Sequence, residues 1–194
     1  GYKYLMDVIE WTKYIYPGKE FAYSTSLNFD HKQLLYASVN VSPKLGIFRP
    51  RWGFYYKQQF FDTGKYGASK ALSRPLLLCL LDNNFALSET MNAAISLNAA
   101  TPNADGFLMM KSNYSVDLRF DKSFANRTWI IYLSANDIFK TTKERWTMYG
   151  QGSGTMKDCY NYTRSISLQV TYNFNAKRSK YKGTGAGNEE KSRL

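Results

Sequence analysis

Over residues 165–174 the chain alternates without a break. Ile166, Leu168, Val170, Tyr172 and Phe174 are apolar or aromatic, and Ser165, Ser167, Gln169, Thr171 and Asn173 are polar. A β-strand turns successive side chains to opposite faces, so this spacing gives one apolar and one polar face; a helix would scatter both sets around its circumference. The same period returns at 113–121, with Tyr114, Val116, Leu118 and Phe120 opposite Ser115, Asp117, Arg119 and Asp121. It returns again at 128–136, 34–42 and 91–98. Segments 21–29, 51–60 and 76–85 read as further strands, and 8–16 is the least regular because Lys13 shares a face with Ile9, Trp11 and Ile15. The chain therefore reads as all-β, an antiparallel meander of about eight or nine strands.

The connections alternate in length. Short turns are expected at 16–20, 42–50, 87–90 and 122–126, and longer loops at 62–74, 99–112 and 137–160. A short turn expected at 30–33 breaks that order. Alternating short turns and long loops, with strands that are apolar on one face, is the pattern of a transmembrane β-barrel. The longest apolar run, Leu76 to Leu81, is far too short to cross a bilayer as a helix. A barrel strand keeps its mean hydropathy low because lumenal residues dilute the lipid-facing ones, so the mean of −0.46 does not argue against this reading.

If the long loops are extracellular, the last strand ends in the periplasm. Phe21, Trp52, Phe120, Trp129 and Phe174 then lie on apolar faces beside short turns or the final strand end. Five aromatics on one rim form a candidate periplasmic girdle, since amphipathic rings settle at the headgroup level. Alternation alone also suits a soluble antiparallel barrel or sandwich that binds a small ligand, and that alternative stays open. Net charge is +11 and aromatics are 16% of the chain, a combination that also suits a basic nucleic-acid-binding β-domain. Much of the basic excess falls after Phe174, however, so nucleic acid is not the expected partner.

Chemistry-bearing motifs are few. There is one histidine, His31, and the two cysteines, Cys79 and Cys159, are far apart and read as unpaired thiols. Gly150-Gln151-Gly152-Ser153-Gly154 precedes no helical pattern, so it does not read as a phosphate-cradling loop. Asp117, Arg119 and Asp121 share a strand face; they are candidate lumenal charges, but a strand whose polar side faces water is the simpler account. No enzyme, cofactor or metal site is expected.

Residues 1–174 form the expected barrel region and 175–194 a basic, Gly-rich tail expected to be flexible. Positions 1–16 lack a secretory leader pattern, so the chain reads as mature or as a piece of something longer. Three features carry a resemblance. They are Lys122-Ser123-Phe124 followed by a strand ending Asn136-Asp137-Ile138-Phe139, Arg164 before a last strand closing Tyr172-Asn173-Phe174-Asn175, and the tail Lys180-Tyr181-Lys182-Gly183-Thr184-Gly185-Ala186-Gly187. In these the chain resembles the C-terminal barrel portion of Bacteroidetes outer-membrane proteins of the TonB-dependent receptor type. Within that signature the expected marker residues are Lys180, Tyr181, Lys182, Gly183, Gly185 and Gly187. The resemblance implies a cell outer-membrane location, outer-membrane lipid as the immediate partner, and nutrient uptake by a larger receptor. That receptor engages the TonB complex through an N-terminal plug that this chain lacks. The solute is not implied.

Overall fold

In the computed structural model, residues 1–21, 23–64, 70–150 and 154–174 are described. The expected tail signature at 175–194 lies outside the described residues, as do Gln151, Gly152 and Ser153 of the Gly-rich loop. The described chain holds twelve strands: β1 (Tyr2–Tyr14), β2 (Tyr23–Val41), β3 (Phe48–Phe60), β4 (Leu76–Ser88), β5 (Met91–Ala100), β6 (Asn103–Asp105), β7 (Leu108–Met110), β8 (Asn113–Phe124), β9 (Trp129–Asn136), β10 (Lys143–Met148), β11 (Thr155–Tyr160) and β12 (Ser165–Tyr172). Eight of them form one antiparallel sheet, the wall, in the order β1-β2-β3-β4-β5-β8-β9-β12. The other four form a smaller sheet, β11-β10-β7-β6. The wall is an all-β meander as expected, and it does not close on itself. Among the described residues β1 pairs only with β2, and β12 only with β9.

Two expectations are corrected here. Residues 30–33 are no turn: β2 runs unbroken for 19 residues, pairing with β1 over its first part and with β3 over its last. What looked like a turn is a change of face. Leu27 and Phe29 are covered, Asp30 and His31 are both exposed, and Lys32 is covered again. Asp7, opposite this point, has φ 51, outside the extended region, so both strands shift their alternation together. Removing that turn also removes the irregularity in the connections. The three short ones, 42–47, 89–90 and 125–128, lie at one end of the wall, and 15–22, 61–75, 101–112 and 137–164 lie at the other. The second correction is that the two longest loops are structured: β6 and β7 lie in one, β10 and β11 in the other, and β7 pairs with β10.

Register fixes which side chains share a face, because residues directly opposite in an antiparallel pair point the same way. One row runs Phe48–Phe85–Ala93–Phe120–Leu133–Leu168, and its neighbour includes Ile95–Leu118–Ala135–Ile166. This face is apolar from β2 to β12 and bare. Val39, Phe54, Leu77, Ile95, Leu118, Leu133 and Leu168 are all exposed. A continuous apolar surface of this extent marks a membrane or partner contact. Asn83, an amide in mid-face, accepts from Trp52 Nε1 at 3.0 Å and donates to Ile95 O at 3.3 Å, as a side chain facing a medium without hydrogen bonds requires. The opposite face carries Ser38, Asn40, Arg51, Asp82, Ser96, Asp117, Ser134 and Ser167. The small sheet and its loops fold over the loop end of this polar face, where Asp105 meets Lys57 and Gly106 meets Gln59.

Candidate functional site

The polar, loop-covered face gathers the charged and amide side chains of the wall. The three charges expected there do lie on it, but they do not pair with one another. Asp117 Oδ1 accepts the Asp137 backbone N–H at 2.7 Å. Arg119 Nη2 donates to Asn84 Oδ1 at 2.9 Å, and Asp121 Oδ2 accepts from Asn92 Nδ2 at 2.7 Å. Each is tied to the neighbouring wall or loop backbone. Arg51, which the sequence reading left out, makes an ion pair on this face, 2.6 Å to Asp82, and Asp82 also accepts from Ser96.

The five aromatics of the expected rim divide. Trp52, Phe120, Trp129 and Phe174 lie toward the short-turn end, whereas Phe21 lies in the connection between β1 and β2, at the opposite end. The expectation failed for Phe21 because 16–20 is short yet joins the strands on the long-loop side. The short-turn end gains aromatics that the sequence reading did not place there. Phe48 packs 5.1 Å from Phe85 and 6.3 Å from Trp52. Trp129 packs on Tyr172 and Tyr172 on Phe174, each at 4.4 Å, and Phe124 lies directly opposite Trp129. At the loop end Tyr14, Tyr16 and Tyr23 pack edge to face at 5.1 and 5.9 Å, near Phe21.

The loop end of the covered face is closed by a latch that the sequence reading missed. The turn of the β6–β7 hairpin, Gly106-Phe107, reaches the wall between β1, β2 and β3. Gln59 of β3, 1% exposed, donates to Gly106 O at 3.0 Å and accepts from Gly106 N at 2.8 Å, so one side-chain amide mimics a strand partner. Gln59 also donates to Leu72 O. Around this contact Lys32 pairs with Glu10 at 2.6 Å and Lys57 with Asp105 at 3.0 Å. Gly106 has φ +56, the left-handed region that favours glycine, and a Cβ there would push the Glu10 carboxylate aside. Phe107 drives the closure. Its ring, 1% exposed, lies 5.4 Å from Phe29 and 5.5 Å from Phe61, in a cluster with Leu72 and Ala104. Thr12 Oγ1 donates to Tyr149 O, and Tyr149 N to Phe107 O, which joins the 137–164 loop to the same closure. The signal available in the sequence was Gly106 followed by another residue ahead of a short apolar run, the Gly-X pair of a two-residue hairpin.

Two carboxylates shape the 137–164 loop. Burial would raise the Asp137 carboxyl, but hydrogen bonds from the Thr163 hydroxyl and from the Thr141 and Thr142 backbone outweigh it and hold the group below its ordinary value. Glu144 of β10 accepts from Lys157 of β11 at 2.6 Å and from Trp146 Nε1 at 3.0 Å. The Lys157 bond first, then the Trp146 bond, bring it down from 4.5 to about 2. A depressed folded value means the contribution is complete above about pH 4.5 and is lost as pH falls toward 2. The protection of the β10 and β11 amides, taken relative to their intrinsic exchange rate, is therefore expected to fall over that window. In Glu144→Gln the protection is expected to vary much less over that window; an equal fall in both proteins would contradict this role.

Cys79 lies on the bare face of β4 and Cys159 in β11, and neither is in a disulfide. Comparison with known families gives one match: the model of the outer membrane protein beta-barrel family fits residues 1–172. No curated protein and no solved structure matches the chain.

Proposed function

Because the chain belongs to the outer membrane protein beta-barrel family and lies in the outer membrane, we propose that it forms part of the wall of a receptor or transporter of the TonB-dependent receptor type, whose full form takes up a nutrient. The single observation that carries this reading is the sorting of faces. An apolar face with aromatics toward both ends meets lipid, while a polar face with ion pairs and a loop closure meets the solute path. The wall segment has no catalytic step; it supplies surface, selectivity and a closed loop layer. The resemblance of its motifs to Bacteroidetes receptors supports the receptor type, in which coupling to the TonB complex runs through a plug that belongs to the whole receptor.

Among the described residues, both edges of the wall carry strand backbone with a neighbour on one side only. Lipid cannot satisfy such groups, so further strands are required to complete the wall. Residues 1–194 on their own are expected to enter detergent, to show heat-modifiable gel mobility, and to associate edge to edge in vesicles. A monomer in plain buffer with a cooperative melt would sink the membrane reading. A monodisperse small closed barrel in vesicles would sink the wall-segment reading while leaving the membrane reading intact.

A further inference from the structure

At the short-turn end of the covered face, away from the latch, is a concavity of about 400 Å³ lined by Lys44, Arg49, Arg51 and Arg119 together with Asn84, Asn92 and Asp121. We propose that it binds the oxyanion group, phosphate or carboxylate, of a small solute moving along the wall; this deepens the wall reading above and rests on it.

The register assembles the site. Arg49 and Arg51 stand two apart on β3 and share a face. Arg49 lies opposite Asn84, Asn84 opposite Ala94, and Ala94 opposite Arg119, so the two arginines belong to one row across four strands. Ala94, 3% exposed, leaves room for the Arg119 guanidinium to pass over it and reach Asn84 at 2.9 Å. That bond to a neutral amide holds the guanidinium in place without cancelling its charge.

The charge balance then decides the ligand. Arg51 is answered by Asp82 at 2.6 Å. Asp121 is held by Asn92. Lys44 and Arg49 make no ion pair or side-chain hydrogen bond among the described residues. Three cations, Lys44, Arg49 and Arg119, thus face one concavity with Asp121 as the opposing carboxylate in its lining. Structural arginines are usually spent on carboxylates, but here two guanidinium forks keep most of their donors free. Such forks match the planar geometry of carboxylate and phosphate oxygens.

The test uses the full chain folded in a sugar-headgroup detergent, which brings no phosphate of its own. Inorganic phosphate and, separately, acetate are titrated against sodium chloride of equal ionic strength, with the urea midpoint and titration calorimetry as readouts. Saturable binding of either anion is expected, raising the midpoint as a ligand of the folded state does. In R49Q/R119Q the affinity is expected to fall by about tenfold or more, since each charged hydrogen bond lost is worth that much. R49K/R119K, which keeps the charge but not the fork, is expected to lie between. Lys111→Gln removes one charge elsewhere and is expected to change nothing. Neither anion acting beyond chloride, or Lys111→Gln weakening binding as far as the arginine pair, would overturn the site. Phosphatidylglycerol binding more tightly than free phosphate would assign a lipid headgroup and overturn the solute. Heat-modifiable mobility, scored in the same samples, reports the wall reading separately.

Discussion

Replacing Phe107 by alanine is expected to cost about 3–5 kcal/mol of loop-layer stability, the range for deleting a buried phenylalanine ring. The ring is 1% exposed and touches Phe29 of β2 and Phe61 just past β3, so the loss falls between the wall and the small sheet. The wall itself does not use this ring. Its strands are paired by backbone and meet their surroundings on the other face. Limited proteolysis of the 101–112 and 137–164 segments should therefore quicken by orders of magnitude, while heat-modifiable mobility stays unchanged. Phe107→Leu keeps most of the volume and is expected to cost under about 1.5 kcal/mol. Unchanged loop proteolysis in Phe107→Ala would show that the Gln59 and Lys32 contacts hold the layer alone. Loss of the wall in the same variant would show that loops and wall form one cooperative unit.

Leu118→Arg is expected to destabilise insertion by about 2–4 kcal/mol, the cost of an arginine on the lipid face near the bilayer centre. Leu118 lies mid-strand in β8, between Ile95 and Ala135 on the bare face, so the charge has no polar neighbour to reach. The matched control is Ser115→Arg, three residues away on the covered face, expected to change stability by under about 0.5 kcal/mol as a solvated substitution does. Urea titration of folding into vesicles reads both. A soluble sheet predicts the opposite for the first variant, because Leu118 is 39% exposed and a surface arginine there would be neutral. Equal small effects in the two variants would therefore remove lipid from the account of this face.

The wall was legible because its period is two and nearly every wall strand repeats it. Strands β5, β8, β9 and β12 were placed within a few residues from alternation alone. The fault at 30–33 has a physical origin. Odd-numbered apolar residues continue on both sides of it, but Leu27 and Phe29 pack under the loops while Leu35, Ala37 and Val39 face outward. A sequence shows that the pattern is interrupted; it does not show whether the chain turns back or turns over. The four loop strands were illegible for another reason. Segments such as Asn103–Asp105 and Leu108–Met110 are too short to display a period, and burial against the wall makes them strands. The latch and the arginine row join residues tens of positions apart, so no local spacing signals them. Asp117, Arg119 and Asp121 could be found as a face but not as three separate attachments.

The pairing of β7 with β10 bears on the order of assembly. These strands come from two different loops, and the β8–β9 hairpin lies between them in the chain. Bringing them together through an unformed β8 and β9 closes a long flexible segment; once Phe124 has met Trp129, the hairpin brings the roots of both loops together and the remaining closure is short. Backbone in the small sheet therefore reaches its final state after that part of the wall has the correct register. A one-residue slip between β8 and β9 would carry β10 away from Met109 and break the backbone bond from Tyr149 to Phe107. The loop layer thus acts as a proofreading step, completed only on a wall that has been laid down correctly.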